Sequence, residues 1–164
     1  MADTPAIIGG CYCGQVRYQS KEPAHGMTLC YCSICRSLHG APFAPFTHLS
    51  RQHLQWTRSD GLLSLAVSDV AVRSVCRSCY APIAMVYNAD PDEIAVVATS
   101  IDEELSAARV PEVESHIYVG EKLGWFKILD DKPQMDGPSA QIQRNMENGA
   151  RGQEMDVKQI VRRV

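Results

Sequence analysis

Short runs in which apolar and polar residues alternate dominate this chain, and they predict strands far more than helices. Residues 9–20, GGCYCGQVRYQS, read as a glycine turn entering a strand with Val16 and Tyr18 on one face; the Cys-x-Cys there suits extended backbone. Residues 26–32, GMTLCYC, predict a second strand, and the ICRSLHG that follows predicts a short helix stopped by Gly40. Further strand segments fall at 42–48, 53–57, 62–66, 70–76, 81–87, 94–99 and 115–120, separated by turn signals such as SDG and NADPDE. IDEELSAAR, at 101–109, predicts one helical turn or two. The expectation is a mostly β fold, a sandwich or barrel of short strands with minor helix.

From Asp136 the pattern changes. Residues 136–164 are polar and lack aromatics, which predicts a C-terminal polar tail, or a helix packing Ile142, Met146, Val157 and Ile160. Residues 1–135 form the domain proper. A chain of 164 residues is long enough for one such core and short for two.

Composition narrows the picture. Hydrophobic residues make up 45% and charged residues 21%, ordinary for a globular chain. A formal net charge of −3 and a pI near 5.9 advertise neither nucleic acid nor an anionic membrane as partner. The opening MADTPAIIGG has no basic stretch and only Ile7 and Ile8 as an apolar pair, so it does not read as a signal peptide. No apolar run reaches the roughly 18 residues a spanning helix needs. These features predict a cytoplasmic protein with reduced thiols.

Seven cysteines in such a protein call for an explanation, and they fall in three tight groups: Cys11/Cys13, Cys30/Cys32/Cys35 and Cys76/Cys79. Isolated buried cysteines would scatter, and an odd number leaves a disulfide framework with a remainder, so metal is the better reading. Two pairs make a closed tetrahedral zinc site, and Cys11/Cys13 with Cys76/Cys79 is the natural combination. Such a site staples distant parts of the chain. Spacing alone does not fix which groups share an ion.

The triplet Cys30, Cys32 and Cys35 is then an open site, the arrangement catalytic zinc requires. Three thiolates leave a net charge of −1, which suits holding a further thiolate better than making hydroxide. Alternatively a histidine closes it; His25, His39, His48, His53 and His116 are available, with His39 four residues past Cys35. Arg36 and His39, beside the claw, are candidates for binding the carboxylates or shuttling the proton of a thiol substrate. His116 reads as a hydrogen-bonded core histidine, Trp125 and Phe126 as core or pocket wall, and Asp130 with Asp131 as a solvated turn.

The pieces GGCYCGQVRY (9–18), LCYCSICRSLHGAPFA (29–44), VCRSCYAPI (75–83) and HIYVGEKLGWFKILDDKPQM (116–135) resemble, in order, the glutathione-dependent formaldehyde-activating enzyme family, whose domain is shared with centromere protein V. The resemblance implies a β fold with two zinc ions, also seen in a small accessory protein of Rab GTPases. It implies a structural zinc on Cys11, Cys13, Cys76 and Cys79 and a catalytic one on Cys30, Cys32 and Cys35. The implied activity is that of a carbon–sulfur lyase: glutathione adds to formaldehyde, or another aldehyde, to give S-hydroxymethylglutathione. Two residues depart from the family pattern: Tyr80 stands where glycine commonly follows the second pair, and Tyr31 where relatives often carry histidine. A zinc-binding interaction module, for protein or nucleic acid, is the alternative class.

Overall fold

The computed structural model describes residues 4–140 together with Gln143, Arg144 and Glu147. The apolar residues expected to pack a C-terminal helix (Ile142, Met146, Val157 and Ile160) lie outside the described residues. The strands are β1 (Ile7–Gly10), β2 (Arg17–Ser20), β3 (His25–Cys30), β4 (Ala44–Ser50), β5 (Leu54–Arg58), β6 (Leu62–Ser68), β7 (Ala71–Cys76), β8 (Pro82–Tyr87), β9 (Asp90–Val97), β10 (Ser115–Ile117) and β11 (Gln134–Met135); one helix, α1 (Ser33–His39), follows β3. The expected mostly β fold is therefore what the chain adopts.

Two sheets result. A three-stranded one has the order β1-β2-β5, and an eight-stranded one the order β11-β10-β3-β4-β9-β8-β7-β6. Neighbours are antiparallel except that β10 runs parallel to both β3 and β11. Each face of the large sheet buries its own cluster. On one face Leu49, Ile83, Ala84, Ile94 and Val96 meet Ile7, Val16 and Tyr18 of the small sheet. The other cluster joins Cys30, Cys35, Ala44, Phe46, Met85, Ala95, Val97 and Ile117. Tyr18 anchors the first: fully buried, it packs edge-on to Trp56 at 5.8 Å and hydrogen-bonds through its hydroxyl to Ser100 Oγ at 2.8 Å.

Several local expectations are revised. Ile7–Gly10 is a strand rather than a glycine turn, because Gly9 lets the backbone pass against the Tyr18 ring; a Cβ there would sit 2.5 Å from it. Cys11 and Cys13 lie in the turn after β1, closed by Gly14 N–H donating to Cys11 C=O at 3.1 Å, and not in extended backbone. The turn in NADPDE shrinks to Asn88 and Ala89, and Asp90 already pairs with Tyr87. Residues 101–109 form one closed turn, Ser106 N–H to Asp102 C=O at 3.0 Å, and Ser106 Oγ then accepts from Ile8 N–H at 2.9 Å.

Candidate functional site

All seven cysteines carry free thiols, and their sulfurs gather as two groups, each with its members within 4.8 Å of one another. Cys11, Cys13, Cys76 and Cys79 form the first. The turn after β1 brings one pair, and the end of β7 with its reversal into β8 brings the other. Sγ separations of 3.5 Å for Cys11–Cys13 and 3.6 Å for Cys13–Cys76 approach the ~3.8 Å that zinc–sulfur bonds of about 2.3 Å impose at tetrahedral angles. Backbone N–H groups already serve the sulfurs. Val16 N–H donates to Cys11 Sγ at 3.3 Å, and the Ala81 N–H is the main reason Cys79 is held down to about 6.

The residue after this second pair keeps the backbone its sequence disfavours. Tyr80 has φ +59°, with its N–H on Cys76 C=O at 2.8 Å. Its ring is 77% exposed, so packing does not compensate for the left-handed conformation.

Cys30, Cys32 and Cys35 form the second group. Cys30 ends β3, Cys32 is the N-cap of α1 in extended backbone, and Cys35 sits one turn into the helix, buried. Cys32 Sγ accepts the Cys35 N–H at 3.4 Å, so helix capping itself folds the two sulfurs together. At the other end Gly40, φ +57°, closes the helix with its N–H on Arg36 C=O. Hydrogen bonding with Cys30, and then with Cys35, holds the Cys32 thiol far below its ordinary value, while the bond with Cys32 drives Cys30 up. Three thiols that share charge this way would release protons to a divalent cation, so the donor set fits zinc.

No histidine joins the three sulfurs among the described residues. His116 is bonded to Tyr31 and Asp130, His25 and His48 lie on Glu93, and His53 lies on Glu22. His39 packs edge-on against Phe46 at 5.6 Å, where burial, and next the nearby Arg73, lower its pKa.

The claw opens onto a cavity of about 180 Å³. Its wall is one face of the large sheet read at every second residue: Thr28 and Cys30, Phe46 and His48, Met85 and Tyr87, Ala71 and Arg73. Arg73, Met85, Ala95 and His48 stand opposite one another along a single row across β7, β8, β9 and β4. Glu121 lines the cavity near α1, and its carboxylate accepts the Ser33 N–H at 2.7 Å. A second cavity of about 360 Å³, edged by Asp90, Glu93 and Glu114, shares Thr28, His48, Met85, Tyr87 and Ala95 with the first.

Neither Arg36 nor His39, the expected substrate contacts, lines this cavity: Arg36 Nε donates to Tyr31 C=O at 2.9 Å, and His39 packs edge-on against Phe46. Arg73 and His48 are among the polar groups on the wall, with Thr28 and Glu121. Arg73 is 8% exposed, and its Nε has no hydrogen-bond partner among the described residues. His48 Nδ1 meets Glu93 Oε1 at 2.5 Å. Arg73 was visible in sequence only as a charge inside the alternating segment VAVRSVC; that it faces inward depends on which face β7 buries.

Tyr31 follows Cys30 and therefore points to the other side of the chain. It lines a separate surface depression with Phe43, Phe126 and His116, and its hydroxyl meets His116 Nδ1 at 3.0 Å. His116 is the buried, hydrogen-bonded histidine expected; its Nε2 lies 2.9 Å from Asp130 Oδ1, so Asp130 is more than a solvated turn. That bond is the main cause of the lowered Asp130 pKa. Trp125, expected as core or pocket wall, is exposed. The departure at Tyr31 thus does not reshape the claw cavity.

A β-sandwich carrying a four-sulfur cluster and, on the opposite face of its large sheet, a three-sulfur claw at a cavity defines a class of protein with two cysteine clusters that could each hold a metal ion. The chain belongs to the glutathione-dependent formaldehyde-activating enzyme family, whose profile matches residues 6–121. A crystal structure of a Rhodobacter sphaeroides protein is similar in fold, with a TM-score of 0.50 and 22% identity over 63% of this chain and 99% of that one. None of the curated proteins matches the chain. No helix among the described residues is long and apolar enough to cross a membrane.

Proposed function

We propose that this protein is a zinc-dependent carbon–sulfur lyase of the cytoplasm, joining glutathione and formaldehyde, or a related thiol and aldehyde, reversibly into the S-hydroxyalkyl adduct. The observation that supports this best is the three-sulfur claw, with no fourth protein ligand among the described residues, facing a cavity. Cys11, Cys13, Cys76 and Cys79 would hold a structural zinc, and Cys30, Cys32 and Cys35 a catalytic one. Bound at the claw, zinc supplies a Lewis acid that favours an incoming thiol as its thiolate.

The chain's own residues supply the rest. Apolar walls from Phe46, Val70, Met85 and Ile117 keep water from the reacting pair. In the forward direction the sulfur–carbon bond forms as the carbonyl π bond breaks, and the thiol proton finishes on the new hydroxyl. His48, on the same wall, is the imidazole assigned to relay that proton, its Nδ1 lying against the Glu93 carboxylate. The second cavity, which shares wall residues with the first, would give the remainder of a tripeptide thiol room to extend. An interaction module has no use for an open metal position at a cavity.

The test is exchange NMR of formaldehyde with glutathione, with and without zinc-loaded protein. Exchange faster than the uncatalysed reaction, and at least about a hundredfold slower in Cys35→Ser than in wild type, is expected, in the range of losing a metal-activated nucleophile. Wild-type exchange equal to the uncatalysed rate rejects the lyase reading.

A further inference from the structure

Arg73 is the cationic group of the claw cavity, and the reaction above leaves it unused. A guanidinium has five N–H donors in a rigid fork, and burial without an anionic partner is costly. Here the nearest anionic groups are the claw sulfurs of Cys32 and Cys35, and Arg73 hydrogen-bonds neither. Arg73 Nη1 reaches only Ser68 Oγ, at 3.5 Å, and Nε has no partner. Among the described residues Arg73 makes no ion pair, and no claw sulfur accepts a hydrogen bond from it. The cavity, at about 180 Å³, is also several times larger than a two-heavy-atom aldehyde fills.

We propose that Arg73 is a carboxylate-binding, specificity-determining residue, and that the cavity takes a substrate bearing a carboxylate close to its reacting sulfur or aldehyde carbon. The fork geometry matches a carboxylate through two parallel hydrogen bonds, and Arg73 lines the cavity with its Nε unpaired. The apolar remainder of the wall strengthens that pair by excluding water. This inference rests on the claw cavity being the reaction site, and it adds the class of substrate. The carboxylate belongs either to the thiol or to the aldehyde, and two arms of one experiment separate these sources.

In the first arm, full-length protein is loaded with cobalt(II), whose thiolate charge-transfer absorption reads thiol binding at the claw without turnover. Mercaptoacetate is compared with 2-mercaptoethanol, a thiol of similar size lacking the carboxylate. In the second arm, zinc-loaded protein with glutathione is offered glyoxylate or formaldehyde, and kcat/KM is compared. At least about a tenfold preference for the carboxylate-bearing member is expected in one arm, naming its source, and Arg73→Met is expected to abolish it while metal content stays at wild-type level. Arg73→Lys, which keeps the charge and loses the fork, should retain only part. No preference in either wild-type arm overturns the proposal, whatever the variants do. So does a preference undiminished in Arg73→Met or, should that variant not fold, in Arg73→Lys. Absence of turnover with both aldehydes counts against the lyase reading instead, and the cobalt arm then decides the role of Arg73.

Discussion

Tyr80 shows what one residue costs when its neighbours fix the backbone. The reversal that carries Cys79 toward the other sulfurs needs φ +59° at the next position, and an exposed tyrosine has no packing to offset the Cβ clash. A left-handed non-glycine residue is unfavourable by about 1–2 kcal/mol. Tyr80→Gly should therefore stabilise the zinc-loaded protein by about 1 kcal/mol, part of the relief being offset by the freer unfolded chain. Urea melts at fixed zinc check this, and an unchanged or lowered midpoint argues against it. Tyr31, the other departure, is neutral for the cavity because residues adjacent in extended chain face opposite ways.

Between elements, the pairing of strands decides which side chains meet. His48 stands on β4 and Glu93 on β9, antiparallel neighbours in which Glu93 opposes Ser50. The hydrogen bond from His48 is the main reason the Glu93 pKa is lowered from 4.5. A carboxyl whose pKa is lower folded than unfolded stabilises the fold fully above its unfolded pKa, and that contribution fades as pH falls through the folded value. The stability difference between wild type and Glu93→Gln should thus shrink as pH falls below about 4.5. Denaturant melts across that range test the sign; a difference that grows on acidification contradicts it. The same change should reduce turnover near neutral pH, since Glu93 orients the His48 ring.

At the scale of the molecule, the two sulfur groups hold different things together. The four-sulfur cluster joins the small sheet to β7 and the β7–β8 reversal, bridging residues 63 apart, Cys13 and Cys76. By analogy with a covalent cross-link, closing such a loop removes unfolded-state entropy worth about 4 kcal/mol. The claw closes only β3 onto α1, a separation of five residues from Cys30 to Cys35. Wild type should bind two zinc ions per chain. Cys32→Ser should bind one with the fold kept, whereas Cys76→Ser should lose cooperative unfolding or drop steeply in Tm. Elemental analysis beside circular dichroism distinguishes these, and equal damage from both changes refutes the division.

Much of this was legible in the chain. Alternation marked nearly every strand of the large sheet, since period-two burial is written directly into residue order. Gly40 marked the end of a short helix, and the cysteine groups marked both clusters, because local backbone geometry alone brings i and i+2 or i+3 sulfurs near one ion. What residue order did not carry is which sheet face became the cavity, and hence that Arg73 and His48 line it while Arg36 and His39 do not. Those four residues differ little in local context. Where they lie follows from the register of β7, β8, β9 and β4, contacts between segments up to 47 residues apart in sequence, from His48 to Ala95. Tertiary structure decided them because a strand's two faces are chemically distinct only once something packs against one.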